Sequence, residues 1–160
     1  MRIGVVSDSH GDFYMLDKAI KMMGEVECII HIGDHYNDLV KVNSKYNKEI
    51  YYVPGNNDYI SSGLGDKVIV LNNKRILITH GHKYGVNFGL MNLLLKAEEE
   101  KADIVLYGHT HVYNVDYERE VFFLNPGSVS RPRDRVASAA VLFIDEKGDI
   151  YAEKLILSSF

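Results

Sequence analysis

Side chains that bind metal ions recur in five short motifs along this 160-residue chain. The motifs combine histidine, aspartate and asparagine, and in order they are Asp8-Ser9-His10, Gly33-Asp34, Gly55-Asn56-Asn57-Asp58, Thr79-His80-Gly81 and Gly108-His109-Thr110-His111. Imidazole nitrogens and carboxylate oxygens are common ligands of divalent transition metals. Because the motifs supply more ligands than one tetrahedral ion needs, they predict a site for two metal ions. Two adjacent cations are a common means of hydrolysing a phosphoester with water.

Each motif taken by itself also has a purely structural explanation. Asp8 and His10 would share one face of an extended segment, but the same pattern is common in turns and helix caps. Asn56 could be a left-handed turn residue, and His80 could be a buried core histidine. His109 with His111 is the sharpest signal. We nevertheless favour a single shared site for the metal ions over five separate structural roles. All five motifs follow predicted strands, and ligands bind at the carboxyl ends of strands in open α/β sheets.

Hydrophobic patterning predicts the elements that position these motifs. Strands are predicted over residues 2–7, 28–32, 49–53, 67–71, 75–79 and 103–107. Helices are predicted over residues 13–23 and 88–100, with a weaker helix within residues 38–46. Shorter strands are predicted over residues 112–117, 121–124, 139–144 and 150–157. We interpret the 88–100 helix as packed on a sheet, with a partner-binding surface as the alternative. The order of elements predicts a single domain over residues 1–160, α/β at first and mostly β at its end.

The composition argues against several classes of function. The net charge is −4 and no block of five basic residues occurs, which argues against binding a long nucleic acid. No segment approaches the roughly 20 apolar residues of a membrane-spanning helix. The first residues are predicted to form a strand, not a signal peptide. Cys28 is the only cysteine, so no internal disulfide forms and a cytoplasmic location is expected.

The ordered motifs, with Asn125-Pro126-Gly127-Ser128 after them, resemble the calcineurin-like metallophosphoesterases and especially their compact prokaryotic phosphodiesterases. The resemblance implies a four-layer α-β-β-α sandwich of two mixed sheets flanked by helices. It also implies hydrolysis of phosphodiesters, with phosphomonoesters as further substrates, by in-line attack of a hydroxide that bridges two divalent ions. The implied ligands of the first ion are Asp8, His10, Asp34 and His111. Those of the second ion are Asn56, His80, His109 and again Asp34, which bridges both.

The nitrogen and oxygen ligands suit manganese, iron, nickel or zinc, and we expect manganese to activate best. Many family members carry a histidine after the Gly-Asn pair, which is thought to assist the leaving group or bind phosphate. Asn57 stands there in this chain, and an amide donates a hydrogen bond but no proton. We assign Asn57 to substrate binding or catalysis, and His82 as the candidate replacement acid. Arg131 is a candidate phosphate ligand, with a solvated turn residue as the alternative.

Two further histidines carry weaker signals. His31 lies inside an apolar strand and is expected to be structural, whereas His35 would lie either in the pocket or on its rim. The loops at residues 59–66 and 84–87 are short, which predicts an open site for a small phosphorylated substrate. Exposed strand edges would permit a homodimer or a larger homo-oligomer. The alternatives to an enzyme are a scaffold of the same fold without catalysis, or a phosphate or nucleotide sensor with slow residual activity.

Overall fold

The computed structural model describes residues 1–59 and 65–159. Within them lie ten strands: β1 (Arg2–Val6), β2 (Cys28–His31), β3 (Glu49–Tyr52), β4 (Lys67–Leu71), β5 (Lys74–Ile78), β6 (Ile104–Leu106), β7 (Tyr113–Glu118), β8 (Val121–Pro126), β9 (Val136–Ile144) and β10 (Ile150–Ser159). The α-helices are α1 (Phe13–Met23), α2 (Asn37–Val42) and α3 (Met91–Glu99), and short 3-10 helices lie at Asn43–Lys45 and His82–Tyr84. No helix in the described part of the chain is long and apolar enough to cross a membrane.

The strands form two mixed sheets of five strands each. The first sheet has the order β10-β9-β1-β2-β3, and the second has the order β4-β5-β6-β8-β7. Strands β1, β2 and β3 are parallel to one another, and so are β5, β6 and β8. The other pairings are antiparallel. Each sheet therefore contains a parallel trio whose carboxyl ends form one rim.

Side chains alternate between the two faces of each strand, and this alternation produces a core of four layers. Ile3 and Val5 face the space between the sheets, where they pack in one cluster with Ile76 and Ile78 of the second sheet. Val6 points the other way and packs with the buried faces of α1 and α2. Residues of α3 cover the outer face of the second sheet. The expected four-layer α-β-β-α sandwich is therefore confirmed, and coverage on both faces explains why β1 has no polar side chain after Arg2.

Two predicted helices differ from the structure at their ends. The helix expected from residue 88 begins at Met91, because Gly89 has a φ of 135°, which no α-helix tolerates. Phe88 is consequently 97% exposed. The helix expected within residues 38–46 begins one residue earlier, at Asn37, and ends at Val42, where a 3-10 turn follows. Of the loop at residues 59–66, residues 60–64 lie outside the described residues.

Candidate metal centre

The predicted ligands lie at the ends of the parallel strands, on backbone of unusual conformation. Five of them have positive φ angles: Asp8 (55°), His10 (46°), Asp34 (56°), His109 (68°) and His111 (59°). Residues other than glycine rarely adopt this left-handed region, and where they do, the surrounding structure must hold them there. Such residues cluster at functional sites. The sharp turns direct side chains from separate loops towards one point.

Hydrogen bonds between the loops hold these turns in place. The Asp8 backbone N–H donates to Gly33 O at 3.1 Å, and the Gly108 N–H donates to His80 O at 3.1 Å. The Ser128 and Ser130 hydroxyls both donate to Asp8 O, at 2.9 Å and 3.0 Å. The segment after β8 thus supports the first motif directly, although the two are more than a hundred residues apart.

The first group of predicted ligands comes together in space. One ligand atom from each of Asp8, His10, Asp34 and His111 lies within 4.8 Å of the others. His111 Nε2 is 3.0 Å from Asp8 Oδ1, and His10 Nε2 is 3.6 Å from Asp34 Oδ2. These are the four residues assigned to the first ion, and their role as ligands stays a prediction.

Part of the second group lies against the same carboxylates. His80 Nε2 is 3.5 Å from Asp34 Oδ1 and 3.9 Å from Asp8 Oδ1. The ring centroids of His80 and His109 are 5.2 Å apart. Asn56 is exposed on the adjoining turn, and its assignment as a ligand stays a prediction.

Backbone carbonyls determine which nitrogen of two histidines faces the centre. His80 Nδ1 is 2.7 Å from Ile32 O, and His111 Nδ1 is 2.6 Å from Arg131 O. A carbonyl only accepts, so each Nδ1 must carry the hydrogen, and each neutral ring directs an Nε2 lone pair at the carboxylates. Metal-binding histidines are oriented in this way by the group that accepts their other N–H.

Unpaired buried atoms provide a test of whether a cation fits here. Asp8 Oδ1, His10 Nε2 and His80 Nε2 are buried and have no hydrogen-bond partner among the described residues. Leaving such atoms unpaired costs free energy, so native structures rarely do it. His111 Nε2 and Asp8 Oδ1 approach to 3.0 Å, a contact that is stabilised by a positive charge between them, either a proton or a metal ion. The donor set therefore fits divalent metal ions.

The electrostatics of the site favour neutral His10 and His109 and an ionised Asp8, whereas the raised pKa of His111 favours its protonated form while no metal is bound. Burial lowers the pKa values of His10 and His109, which keeps their rings neutral. For His111, burial lowers the pKa, but attraction to the Asp8 carboxylate outweighs it and the pKa is raised. For Asp8, burial raises the pKa, but His111 and His80 outweigh it and the pKa is lowered. The Asp8 carboxylate therefore stays ionised and attracts positive charge.

The other predicted site residues surround this cluster. Asn57 contacts Asp34 directly: its backbone N–H donates to Oδ1 at 2.9 Å, and its side-chain amide donates to Oδ2 at 2.6 Å. The His82 ring is centred 5.4 Å from that of His80. Arg131 is exposed at the rim of a cavity that His10 also lines. The roles assigned to Asn57, His82 and Arg131 stay predictions.

Sequence reasoning missed several residues that support the site. Asp38 accepts hydrogen bonds from Ser9 Oγ at 2.7 Å and from the Gly11 N–H at 2.8 Å. Asp58 accepts from the backbone N–H groups of Gly55 and His35. Asp58 was visible as the last residue of the third motif, but no local signal distinguishes Asp38 from an ordinary helix-surface aspartate. Its partners lie on another loop.

Comparison with known proteins agrees with this geometry. The chain matches the model of the calcineurin-like phosphoesterase superfamily domain over residues 1–147. It is 31% identical over 147 residues to a probable metallophosphoesterase of Bacillus subtilis, across 91% of this chain and 85% of that protein. It is 27% identical over 164 residues to a phosphodiesterase of Methanocaldococcus jannaschii, across 92% of this chain and 95% of that one. A crystal structure of a predicted phosphoesterase from Streptococcus pneumoniae superposes with a TM-score of 0.77 at 32% identity, over 97% of both chains.

The chain therefore belongs to the calcineurin-like phosphoesterase superfamily. The resemblance inferred from the motifs is confirmed, and the names of its relatives support a hydrolase that acts on phosphoesters. The four-layer fold and the cluster at Asp8 and Asp34 agree with this assignment.

Proposed function

We propose that this protein is a metal-dependent phosphodiesterase that works with two divalent ions. The observation that carries the proposal is the position of the Asp34 carboxylate between two histidines. Its Oδ2 atom lies 3.6 Å from His10 Nε2, and its Oδ1 atom lies 3.5 Å from His80 Nε2. A carboxylate whose two oxygens face two separate imidazoles is suited to bridging two ions.

Seven residues would hold the two ions. Asp8, His10 and His111 would bind one, Asn56, His80 and His109 would bind the other, and Asp34 would bind both. When bound, the ions would supply Lewis acidity, which lowers the pKa of a water between them and stabilises negative charge on the phosphate. Manganese remains our first choice, with iron, nickel or zinc as alternatives.

Asn57 would orient the bridging carboxylate and offer a hydrogen bond to the substrate. Its backbone and side-chain N–H groups already donate to the two oxygens of Asp34. The side-chain amide carries a second hydrogen, which would remain for a phosphate oxygen. Because an amide delivers no proton, Asn57 does not replace the acid that many relatives place here.

His82 is our candidate for assisting the leaving group. Its Nδ1 is buried without a hydrogen-bond partner in the described residues, and its ring is centred 6.1 Å from that of His109. Burial lowers the pKa of His82, so the neutral ring predominates at pH 7. It would therefore act by hydrogen-bonding the leaving-group oxygen, not as an imidazolium acid.

We assign phosphodiesters as the principal substrates and phosphomonoesters as secondary ones. This assignment follows the phosphodiesterase of M. jannaschii, to which the chain is similar over nearly its whole length. The exposed Arg131 guanidinium would contact a phosphate oxygen. The natural substrate is expected to be small, since the cavity beside His10 is about 530 Å³ in volume.

The experiment that tests the proposal is hydrolysis of bis(p-nitrophenyl) phosphate by metal-stripped protein during titration with manganese. Bound metal is counted at each point, and p-nitrophenyl phosphate is assayed beside the diester. We expect activity to saturate near two ions per chain and the diester to react faster. Two bound ions without turnover of either ester would favour a scaffold or sensor, and absence of metal binding would overturn the ligand assignment.

A further inference from the structure

A cavity of about 530 Å³ adjoins the metal centre on the side of His10. It is lined by His10, Asp12, Phe13, Tyr14, Ser130 and Arg131, together with the Gly11 backbone. Pockets for small molecules commonly have about 300–1,000 Å³, so a nucleotide-sized ligand fits this volume. Since His10 is a predicted metal ligand and also a wall of the cavity, a phosphoester bound at the metals would extend its organic group here.

Two aromatic rings on this wall are exposed and are not part of the hydrophobic core. Phe13 is 42% exposed and Tyr14 is 76% exposed, whereas Leu16 and Ile20 of the same helix are buried against the first sheet. The rings therefore lie outside the helix face that packs. Lys41 Nζ lies 5.5 Å from the centroid of the Phe13 ring, which adds positive charge beside the aromatic surface.

Arg131 combines a fixed backbone with an exposed side chain. Its N–H donates to Ser128 Oγ at 2.8 Å, and its carbonyl accepts from His111 Nδ1 at 2.6 Å. Its side chain is exposed. An exposed guanidinium that extends from this fixed backbone suits a phosphate oxygen or the face of a planar ring.

The cavity wall carries one negatively charged side chain, Asp12, which would repel a bound anion. Asp12 is the N-cap of α1, and its Oδ1 accepts the Met15 N–H at 3.0 Å. Arg131 and Lys41 balance this charge. By contrast, a second cavity of about 330 Å³ at Leu90 and Phe123 has Asp116 and Glu118 on its rim and no basic residue, so it would repel a phosphoester.

We propose that the Phe13–Tyr14 cavity binds the planar ring of the substrate's organic group, so that nucleoside phosphoesters are the favoured substrate class. The ring stacks on Tyr14 or Phe13, and the Arg131 guanidinium contacts the phosphate. Any base can stack on an aromatic side chain, because every base has a π-face. The inference rests on the proposed function, since it assigns the substrate class of the same site.

The experiment compares adenosine 5′-monophosphate with ribose 5-phosphate, which differ only in the base. Calorimetric titration of the manganese-loaded protein measures both affinities, and phosphate release is followed in parallel to exclude heats of turnover. We expect the wild type to bind the adenosine ester at least about tenfold more tightly. Phe13→Ala/Tyr14→Ala should remove this preference and change ribose 5-phosphate binding less than about twofold.

Two further variants make the comparison specific. Tyr117→Ala is the matched control, because Tyr117 is 63% exposed and pairs with Phe122 near the start of β8, at the opposite end of the strand from the metal centre. It should keep the preference. Arg131→Gln should weaken both ligands by a similar factor, since its charge contacts the phosphate. Tyr14→Ala alone provides the test if the double variant does not fold.

The outcomes separate this inference from the proposed function. Equal binding of the two ligands by the wild type, or an unchanged preference in the double variant, would overturn the inference. Failure of the wild type to bind either ligand would also overturn it. Diester hydrolysis without a base preference would leave the proposed function standing and overturn the inference. A base preference without hydrolysis would overturn the assignment of nucleoside phosphoesters as substrates, together with the proposed function.

Discussion

His31 Nε2 lies 3.0 Å from Ser9 Oγ, and this contact joins the loops that carry the first two of the predicted metal-binding motifs. The Gly33 N–H donates to His31 Nδ1 at 3.1 Å, so Nε2 carries the hydrogen and donates to Ser9. Ser9 Oγ in turn donates to Asp38 at 2.7 Å. The prediction that His31 is structural agrees with its complete burial. It has a particular structural task, which is to fix the position of Asp8 and His10 relative to Asp34.

Loss of the Ser9 hydroxyl should weaken metal binding. Ser9→Ala leaves His31 Nε2–H and an Asp38 oxygen without their partner, so the loop between Asp8 and His10 loosens. Loss of a hydrogen bond that orients metal ligands commonly costs about 10–100-fold in affinity, and we expect about tenfold for manganese by calorimetry. Ser44→Ala, at an exposed serine bonded to Lys41 O, is the control. Equal affinity of Ser9→Ala and wild type would refute the positioning role.

His31 should also make stability depend on pH. Burial lowers the pKa of His31 to about 4 from a usual value of 6.5, so the unfolded chain binds the proton more readily than the folded chain. The contribution to stability is present above pH 6.5 and is lost as the pH falls towards 4, by up to roughly 3 kcal/mol. Urea unfolding of metal-stripped protein at pH 7.5 and pH 5 measures it. His31→Gln should lose less stability on acidification, and an identical loss would contradict the assignment.

Asp34 should matter more than any one terminal histidine, because it faces both groups of ligands. We expect Asp34→Asn to bind fewer than two ions and to lower kcat for bis(p-nitrophenyl) phosphate at least about a hundredfold. His109→Ala, which removes a ligand assigned to one ion only, should have a smaller effect on metal content. Metal analysis and steady-state kinetics measure both. Two ions and near-normal turnover in Asp34→Asn would disprove the bridging role.

Gly55 is required by the close approach of two loops. A Cβ at this position would collide with the Asp34 carboxylate and backbone nitrogen, so Gly55→Ala must displace a predicted ligand. We expect the free energy of unfolding to fall by about 2 kcal/mol and one metal ion to be lost. Gly65→Ala is the matched control, because a Cβ there meets nothing within 4 Å. If both variants bind two ions, the loops are not as tightly packed as described.

Turnover should depend steeply on the acidity of the leaving group. Asn57 supplies no proton, and burial lowers the pKa of His82, so poor leaving groups receive little help. Rates for a series of aryl phosphodiesters plotted against leaving-group pKa should fall steeply as that pKa rises. A flat plot would show that an efficient acid is present. In that case, His82→Ala should convert the flat plot into a steep one if His82 is that acid.

The local sequence was sufficient to predict the strands and to propose the candidate ligands. Apolar, β-branched runs such as the one after Met1 are typical of a buried strand. Polar residues that follow several such strands lie at one rim when the strands are parallel. The helix predicted from residue 88 was wrong at its start, since periodicity does not reveal that Gly89 has a non-helical φ. Boundaries depend on backbone angles that packing selects.

The tertiary structure decided how the ligands are oriented. Asn57 and Asp34 are 23 residues apart, and Ser9 and His31 are 22 apart, so no local pattern relates them. The lone pairs of His80 and His111 point at the carboxylates because carbonyls from distant loops accept their other N–H groups. Sequence determined which side chains reach the rim, because strand periodicity is local. The structure alone determined their geometry, because these hydrogen bonds join residues far apart in the sequence and form only in the folded protein.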